Sequence, residues 1–170
     1  MSRATTAGRA RPWPFQPSTD SASRRRPADC SLTVETREVE VNTGGRRGVF
    51  DLSGAVDGFL AQVAGGRGGL LHVFVPHATA GVLIMELGSG SDDDVVDALD
   101  RLLPRDARWR HAHGSPGHGA DHVVPLLAPP AISVPVVGGR AALGTWQSIA
   151  LLDPNGDNPQ RRVRLSFLPG

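Results

Sequence analysis

Apolar and polar positions divide the chain into short periodic stretches from about Ser31 onward. Leu32 and Val34 alternate with polar residues, and Val39 and Val41 continue the alternation on the opposite parity. Side chains of a strand alternate between faces, so a parity change requires a bulge or two separate strands. Gly44-Gly45 marks a turn, and Arg46 to Phe50 reads as a short return strand. Leu52, Val56, Phe59, Leu60 and Val63 then recur at i, i+4, i+7, i+8 and i+11, which is one face of a helix. Asp51 or Ser53 is placed to cap it and Gly65-Gly66 to stop it. Leu70 to Val75 and Val82 to Met85 are apolar runs of strand length. A second helix is predicted from Ser91, with Val95, Leu99, Leu102 and Leu103 on one face, Asp92, Asp93 and Asp94 in the first turn, and Pro104 beyond its end. Three further strands are predicted over 132–137, 143–152 and 162–168, the last alternating Arg162, Arg164 and Ser166 with Val163, Leu165 and Phe167. About seven strands with two or three helices, not regularly interleaved, predict an α+β fold with mostly antiparallel or mixed sheets in a sandwich-like arrangement.

Residues 1–29 differ in kind. They are rich in Arg, Ser, Thr, Ala and Pro, with Trp13 and Phe15 as the large apolar groups, and read as a disordered tail preceding a single domain over 30–170. Arg24-Arg25-Arg26 is followed by Pro27-Ala28-Asp29 rather than an apolar stretch, so a tail fits better than an export signal and a cytoplasmic protein is expected. Eighteen basic and seventeen acidic residues leave a net charge of +1, which supplies no broad electrostatic footprint for nucleic acid or an anionic membrane. All eighteen basic residues are arginine, so lysine Schiff-base chemistry and a P-loop are excluded. A single cysteine, Cys30, excludes an intrachain disulfide and a cysteine-based zinc cage.

Histidine is the compositional anomaly. His111, His113, His118 and His122 put four of the six histidines into twelve residues. His111 and His113, two apart, would share a strand face, and His118 and His122, four apart, would share a helix face. Both spacings let imidazoles converge on one metal. Asp121, beside His122, is a candidate ligand or supporting carboxylate. His77 follows a buried run and Pro76, where a strand leaves its sheet, and Thr79 and Glu86 flank the next strand. His72, inside an apolar run, reads as a core or edge histidine rather than a ligand. In Gly144-Thr145-Trp146-Gln147, strand alternation would put Thr145 and Gln147 on one face and a packed Trp146 on the other.

The run from His77 through Thr79 and Gly81 to Glu86, then Trp109-Arg110-His111, Asp121-His122, and Arg140 through Gly144-Thr145-Trp146-Gln147, resembles the YjbQ family over roughly residues 31–168. Members of that family are described as secondary thiamine-phosphate synthases. The resemblance implies a small α+β homotrimer with polar clefts at subunit boundaries. It also implies a divalent metal, zinc or magnesium, held by His77, His111 and His122. The implied reaction joins hydroxymethylpyrimidine diphosphate to a thiazole phosphate with release of pyrophosphate. In that setting Glu86, His113 or Asp121 would move a proton, and Thr79, Arg140, Thr145 and Gln147 would hold the phosphorylated substrate. Met85 and Leu87 flank Glu86 where the family often has asparagines, so the surroundings of the site depart from the family pattern. Two other functions are compatible with the same residues: metal-dependent hydrolysis of a small phosphate ester, and metal or metabolite binding without turnover.

Overall fold

The computed structural model describes residues 33–170, so the expectation for the 1–29 tail and the strand position of Leu32 lie outside the described residues. Eight strands form two wholly antiparallel sheets, accompanied among the described residues by three α-helices and one 3-10 turn. In chain order they are β1 (Glu35–Asn42), β2 (Gly48–Asp51), α1 (Ser53–Val63), β3 (Gly69–Phe74), β4 (Gly81–Met85), α2 (Ser91–Leu102), α3 (His118–Asp121), β5 (Ala131–Val137), β6 (Arg140–Ala141), β7 (Ser148–Asp153) and β8 (Gln160–Pro169); the 3-10 turn spans Val124–Leu126. One sheet has the order β1-β8-β3-β5-β6 and the other β2-β7-β4.

Periodicity explains most of this. The helical stripe of α1 presents Val56, Phe59 and Leu60, each about 2% exposed or less, to Leu71, Val73, Val163, Leu165 and Phe167 on the inner face of the five-stranded sheet. Fully burying a side chain such as Phe59 is worth about 1.5–3 kcal/mol. The Asp51 carboxylate accepts the Ser53 N–H at 2.7 Å, and Gly65 and Gly66 leave the helix with φ of +55° and +78°. Strand β7 is buried along nearly its whole length because both faces of the small sheet are covered. Ile149 and Leu151 join the core beneath α1, and Leu152 joins a second core with Leu99 of α2, Val124 and Ala128.

Three expectations are corrected. The segment after Gly44-Gly45 does not return along β1. Strand β2 pairs with β7 in the other sheet, and β1 pairs with β8. Residues 143–147 are not strand: Gln147 N–H donates to the Gly144 carbonyl at 3.0 Å while the Gln147 Oε1 accepts the Gly144 N–H at 2.8 Å, closing a turn that leaves Trp146 73% exposed rather than packed. Leu102 is 67% exposed, leaving Leu99, with Val95 and Leu103, to seat α2. No described helix is long and apolar enough to cross a membrane.

No helix among the described residues covers the outer face of the five-stranded sheet. His72, expected in the core or at an edge, is instead exposed on the central strand β3 and bonds Ser133 across this face at 3.0 Å, and Thr36 bonds Ser166 at 3.0 Å. Glu38, Arg162 and Arg164 form ion pairs there, and Leu70, Leu168 and Val137 are exposed. Gly81, the glycine of the His77-to-Glu86 run, has a packing reason: a Cβ there would lie 2.1 Å from the carbonyl oxygen of Ala128. Gly81→Ala should therefore destabilise the protein by about 1–3 kcal/mol. A urea titration should show a lower midpoint with an unchanged slope, and an unshifted midpoint would contradict the close approach.

Candidate metal centre

The histidine-rich segment is held in place by groups at its base. Trp109 Nε1–H donates to the Pro104 carbonyl at 2.7 Å, fixing the approach to His111. Arg105 ion-pairs with Asp121 and donates to the carbonyls of Pro154 at 3.2 Å and Pro116 at 3.0 Å, so one guanidinium ties three segments together. Gly117 starts α3 with φ of +88°. Gly119 lets that short helix press on the preceding segment, because a Cβ there would come within 2.4 Å of the His111 carbonyl oxygen and 2.5 Å of Trp109 Cβ.

This packing gathers four imidazoles. His118 and His122, one helical turn apart as their spacing predicts, have Nε2 atoms 3.0 Å from each other. The His111 ring lies 4.4 Å from that of His122 and 5.4 Å from that of His118 between centroids, and His113 stands 4.1 Å from His111. The segment carrying His111 and His113 is a loop rather than the strand their spacing suggests. Nitrogen atoms of His111, His118 and His122 all lie within 4.8 Å of one another. Tetrahedral zinc with bonds of 2.0–2.1 Å needs nitrogens about 3.3 Å apart, so these three residues fit an ion with little rearrangement. His111 and His118, but not His122, line a pocket together with Arg105, Trp109 and the rest of the 111–119 segment.

Charge state favours the same use. His111 is held below the ordinary histidine value of 6.5 by loss of solvent around its ring and then by repulsion from His113, His122 and His118. Burial, then His118 and His113, lower His122 in the same way against the opposing Asp121 carboxylate. Both shifts favour the neutral rings that ligation requires.

The other sequence candidates fall elsewhere. Asp121 is buried behind the cluster with both oxygens engaged, Oδ1 by Arg105 and Oδ2 by Asn155 Nδ2 at 2.9 Å, which makes it a support of the site. His77 is not among the three converging imidazoles; His118 takes that place within one chain. The His77 Nε2 accepts the Arg162 backbone N–H at 2.9 Å, at a surface pocket that also includes Glu38, Glu40 and Gln160. Burial and then the charge of Arg161 push the His77 pKa down. Thr79 is buried, Glu86 is exposed just past β4, Arg140 opens β6 beside a pocket with Asp57 and Gly139, and Thr145 and Gln147 are exposed in their turn. None of these five lines the histidine pocket.

Two functional neighbours escaped the sequence reading. Asn155 and Asp157, from the connection between β7 and β8, both reach His118. Their signal was a short Asp153-Pro-Asn155-Gly-Asp157 run, which reads as an ordinary turn until the fold brings it against α3.

Residues 37–170 match the family model described as UPF0047 protein YjbQ-like. The chain is 57% identical over 137 residues to the UPF0047 protein Rv2556c of Mycobacterium tuberculosis, covering 81% of this chain and all of that one. It is 34% identical over 136 residues to a UPF0047 protein of Methanothermobacter thermautotrophicus, covering 79% of this chain and 92% of that one. Among solved structures, the hypothetical protein APE1520 from Aeropyrum pernix K1 superposes with a TM-score of 0.73 at 34% identity, over 80% of this chain and 99% of that one. With the family model spanning nearly all of the described residues, the chain belongs to the YjbQ-like UPF0047 family.

Proposed function

We propose that this protein is a metal-supported enzyme acting on a small phosphorylated substrate, with His111, His118 and His122 as the ligands. The observation that carries the reading is the convergence of three imidazole nitrogens within 4.8 Å, two of them, those of His111 and His118, from residues that line a surface pocket. An all-imidazole donor set suits zinc and its late first-row neighbours, whereas magnesium prefers oxygen ligands, so zinc is the better of the two expected ions. When bound, an ion with three protein ligands and an open position offers a Lewis acid for a phosphate oxygen or a bound water.

The reaction we put forward is the one the resemblance implies: transfer in the manner of thiamine-phosphate synthases, with charge stabilised on departing pyrophosphate. His113, exposed and 4.1 Å from His111 between ring centres, is the side chain placed to move a proton. Hydrolysis of a phosphate ester is the second reading, favoured by the three-imidazole set with an open position, the arrangement by which zinc activates water. Product analysis separates the two: pyrophosphate release that depends on both substrates supports transfer, and water-dependent release from one ester supports hydrolysis. Stoichiometric metal with no turnover of either kind would leave a binding protein.

We also propose the homotrimer. The open outer face of the five-stranded sheet, with Leu70, Val137 and Leu168 exposed among paired charges, supports self-association by giving a partner an apolar and charged surface to cover. His77 bonds to Arg162, whose side chain belongs to that face, so His77 would sit near the subunit boundary. Light scattering at low micromolar concentration should give about three times the 17.9 kDa chain mass, and a monomer would contradict it.

Replacing His111, His118 or His122 with Ala should remove most bound zinc by elemental analysis while leaving the far-ultraviolet circular dichroism unchanged. His77→Ala should keep it, because the lone pair of its Nε2 is already used by the Arg162 N–H. Zinc loss only in His77→Ala would move the centre. Zinc affinity should fall as pH drops below 6.5, since a proton on His111 or His122 removes a ligand and both are held under 6.5. The metal-free protein should lose stability over the same descent, because unfolded imidazoles bind protons at about 6.5 before the folded ones do. Affinity already lost at pH 7 would contradict the depressed values.

A further inference from the structure

We infer that Asp157, braced by Asn155, is a positioning residue that holds His118 in the Nδ1–H tautomer and so turns the lone pair of its Nε2 toward the metal. The inference rests on the metal reading above and deepens it by naming what orients the ligand.

The hydrogen-bond inventory around His118 admits one consistent assignment. His118 Nδ1 lies 2.9 Å from Asp157 Oδ2 and 3.2 Å from Asn155 Nδ2. A carboxylate only accepts and an amide nitrogen only donates, so the ring nitrogen serves one of them. The two N–H bonds of the Asn155 amide already have acceptors, Asp121 Oδ2 at 2.9 Å and Asp157 Oδ2 at 3.3 Å. Nδ1 is therefore the donor, to Asp157, and in the neutral ring Nε2 carries the lone pair. The 3.0 Å contact between His118 Nε2 and His122 Nε2 is satisfied in the metal-free protein by a proton on His122. A carboxylate on the far nitrogen of a ligating imidazole fixes both its orientation and its basicity.

The brace is rigid. Asn155 is 2% exposed, its Oδ1 accepts the Asp157 backbone N–H at 3.0 Å, and its own N–H is held by Asp153 at 3.2 Å. Arg161 holds the Asn155 carbonyl at 3.1 Å. Asp157 also bonds Ser115, so a change at Asp157 could act by loosening the 114–117 loop instead. Ser115→Ala separates these routes, since it removes the loop bond and leaves His118 paired.

The test uses the full chain at pH 7.5. Zinc affinity is measured by competition with a chromophoric chelator, and the His118 tautomer in metal-free protein by histidine nitrogen-15 shifts. Asp157→Ala, at a side chain 37% exposed, should keep the fold. It should weaken zinc binding about 10–100-fold and bring an Nε2–H form of His118 into view. Asp157→Asn, which keeps an acceptor oxygen without its charge, should fall between, and Ser115→Ala should match the parent in both readouts. A parent His118 in the Nε2–H form, or Asp157→Ala binding zinc as tightly as the parent, would overturn the inference. Should the parent bind no zinc, the metal reading fails while the tautomer measurement still decides what Asp157 does to His118.

Discussion

The buried ion pair between Asp153 and Arg161 is the contact on which the rest of the site depends. Asp153 ends β7 in the small sheet and Arg161 lies near the start of β8 in the large one. Their side chains are 0% and 4% exposed, joined by bonds of 2.7 and 3.0 Å in fork-to-fork geometry. Such a pair adds little net stability over an apolar substitute, but removing one partner strands a buried charge at a cost of about 3–5 kcal/mol. Its value here is geometric. It fixes the connection between the two sheets, so that Asn155 can reach Asp121 and His118, Asp157 can reach His118, and the Arg162 N–H can meet His77. His77 and His118 are thus both bonded to the stretch of chain that this pair anchors.

From that node outward the centre is built in graded stiffness. Asn155 and Asp121 are almost wholly buried and fully bonded, and Arg105 clamps Asp121 to the carbonyls of Pro116 and Pro154. His118 and His122 are half-buried, whereas His111 and His113 are exposed on a glycine-bounded loop. Two half-buried imidazoles with a third exposed would leave an ion held between them open on one side to a substrate. Neutral imidazoles contribute no charge of their own, so a divalent ion keeps its full charge for an anionic ligand.

Local periodicity made much of this legible. The apolar stripe of α1 has one solution, and so does the alternation of Val163, Leu165 and Phe167 against arginines in β8. The pairing of His118 with His122 could be read from their spacing alone. Other features depended on contacts far apart in sequence. Four residues of β2 cannot specify whether they pair with β1 or with β7. The apolar character of Leu143 and Trp146 suggests a strand, yet a single amide, that of Gln147, closes the segment into a turn. The family resemblance groups His77 with His111 and His122, whereas within one chain its Nε2 accepts the Arg162 backbone N–H. The supporting roles of Asp153, Asn155 and Asp157 follow from side-chain geometry that no periodicity encodes.

The metal centre proposed here is formed by three imidazoles of one chain. Crystals of the full chain grown with zinc, with anomalous diffraction recorded on both sides of the zinc absorption edge, test it most directly. One strong peak per chain is expected within about 2.0–2.1 Å of nitrogens from His111, His118 and His122, with density for a non-protein ligand at the open position. A peak bound by His77 with none at the 111–122 cluster, or zinc confined to surface carboxylates, would contradict it.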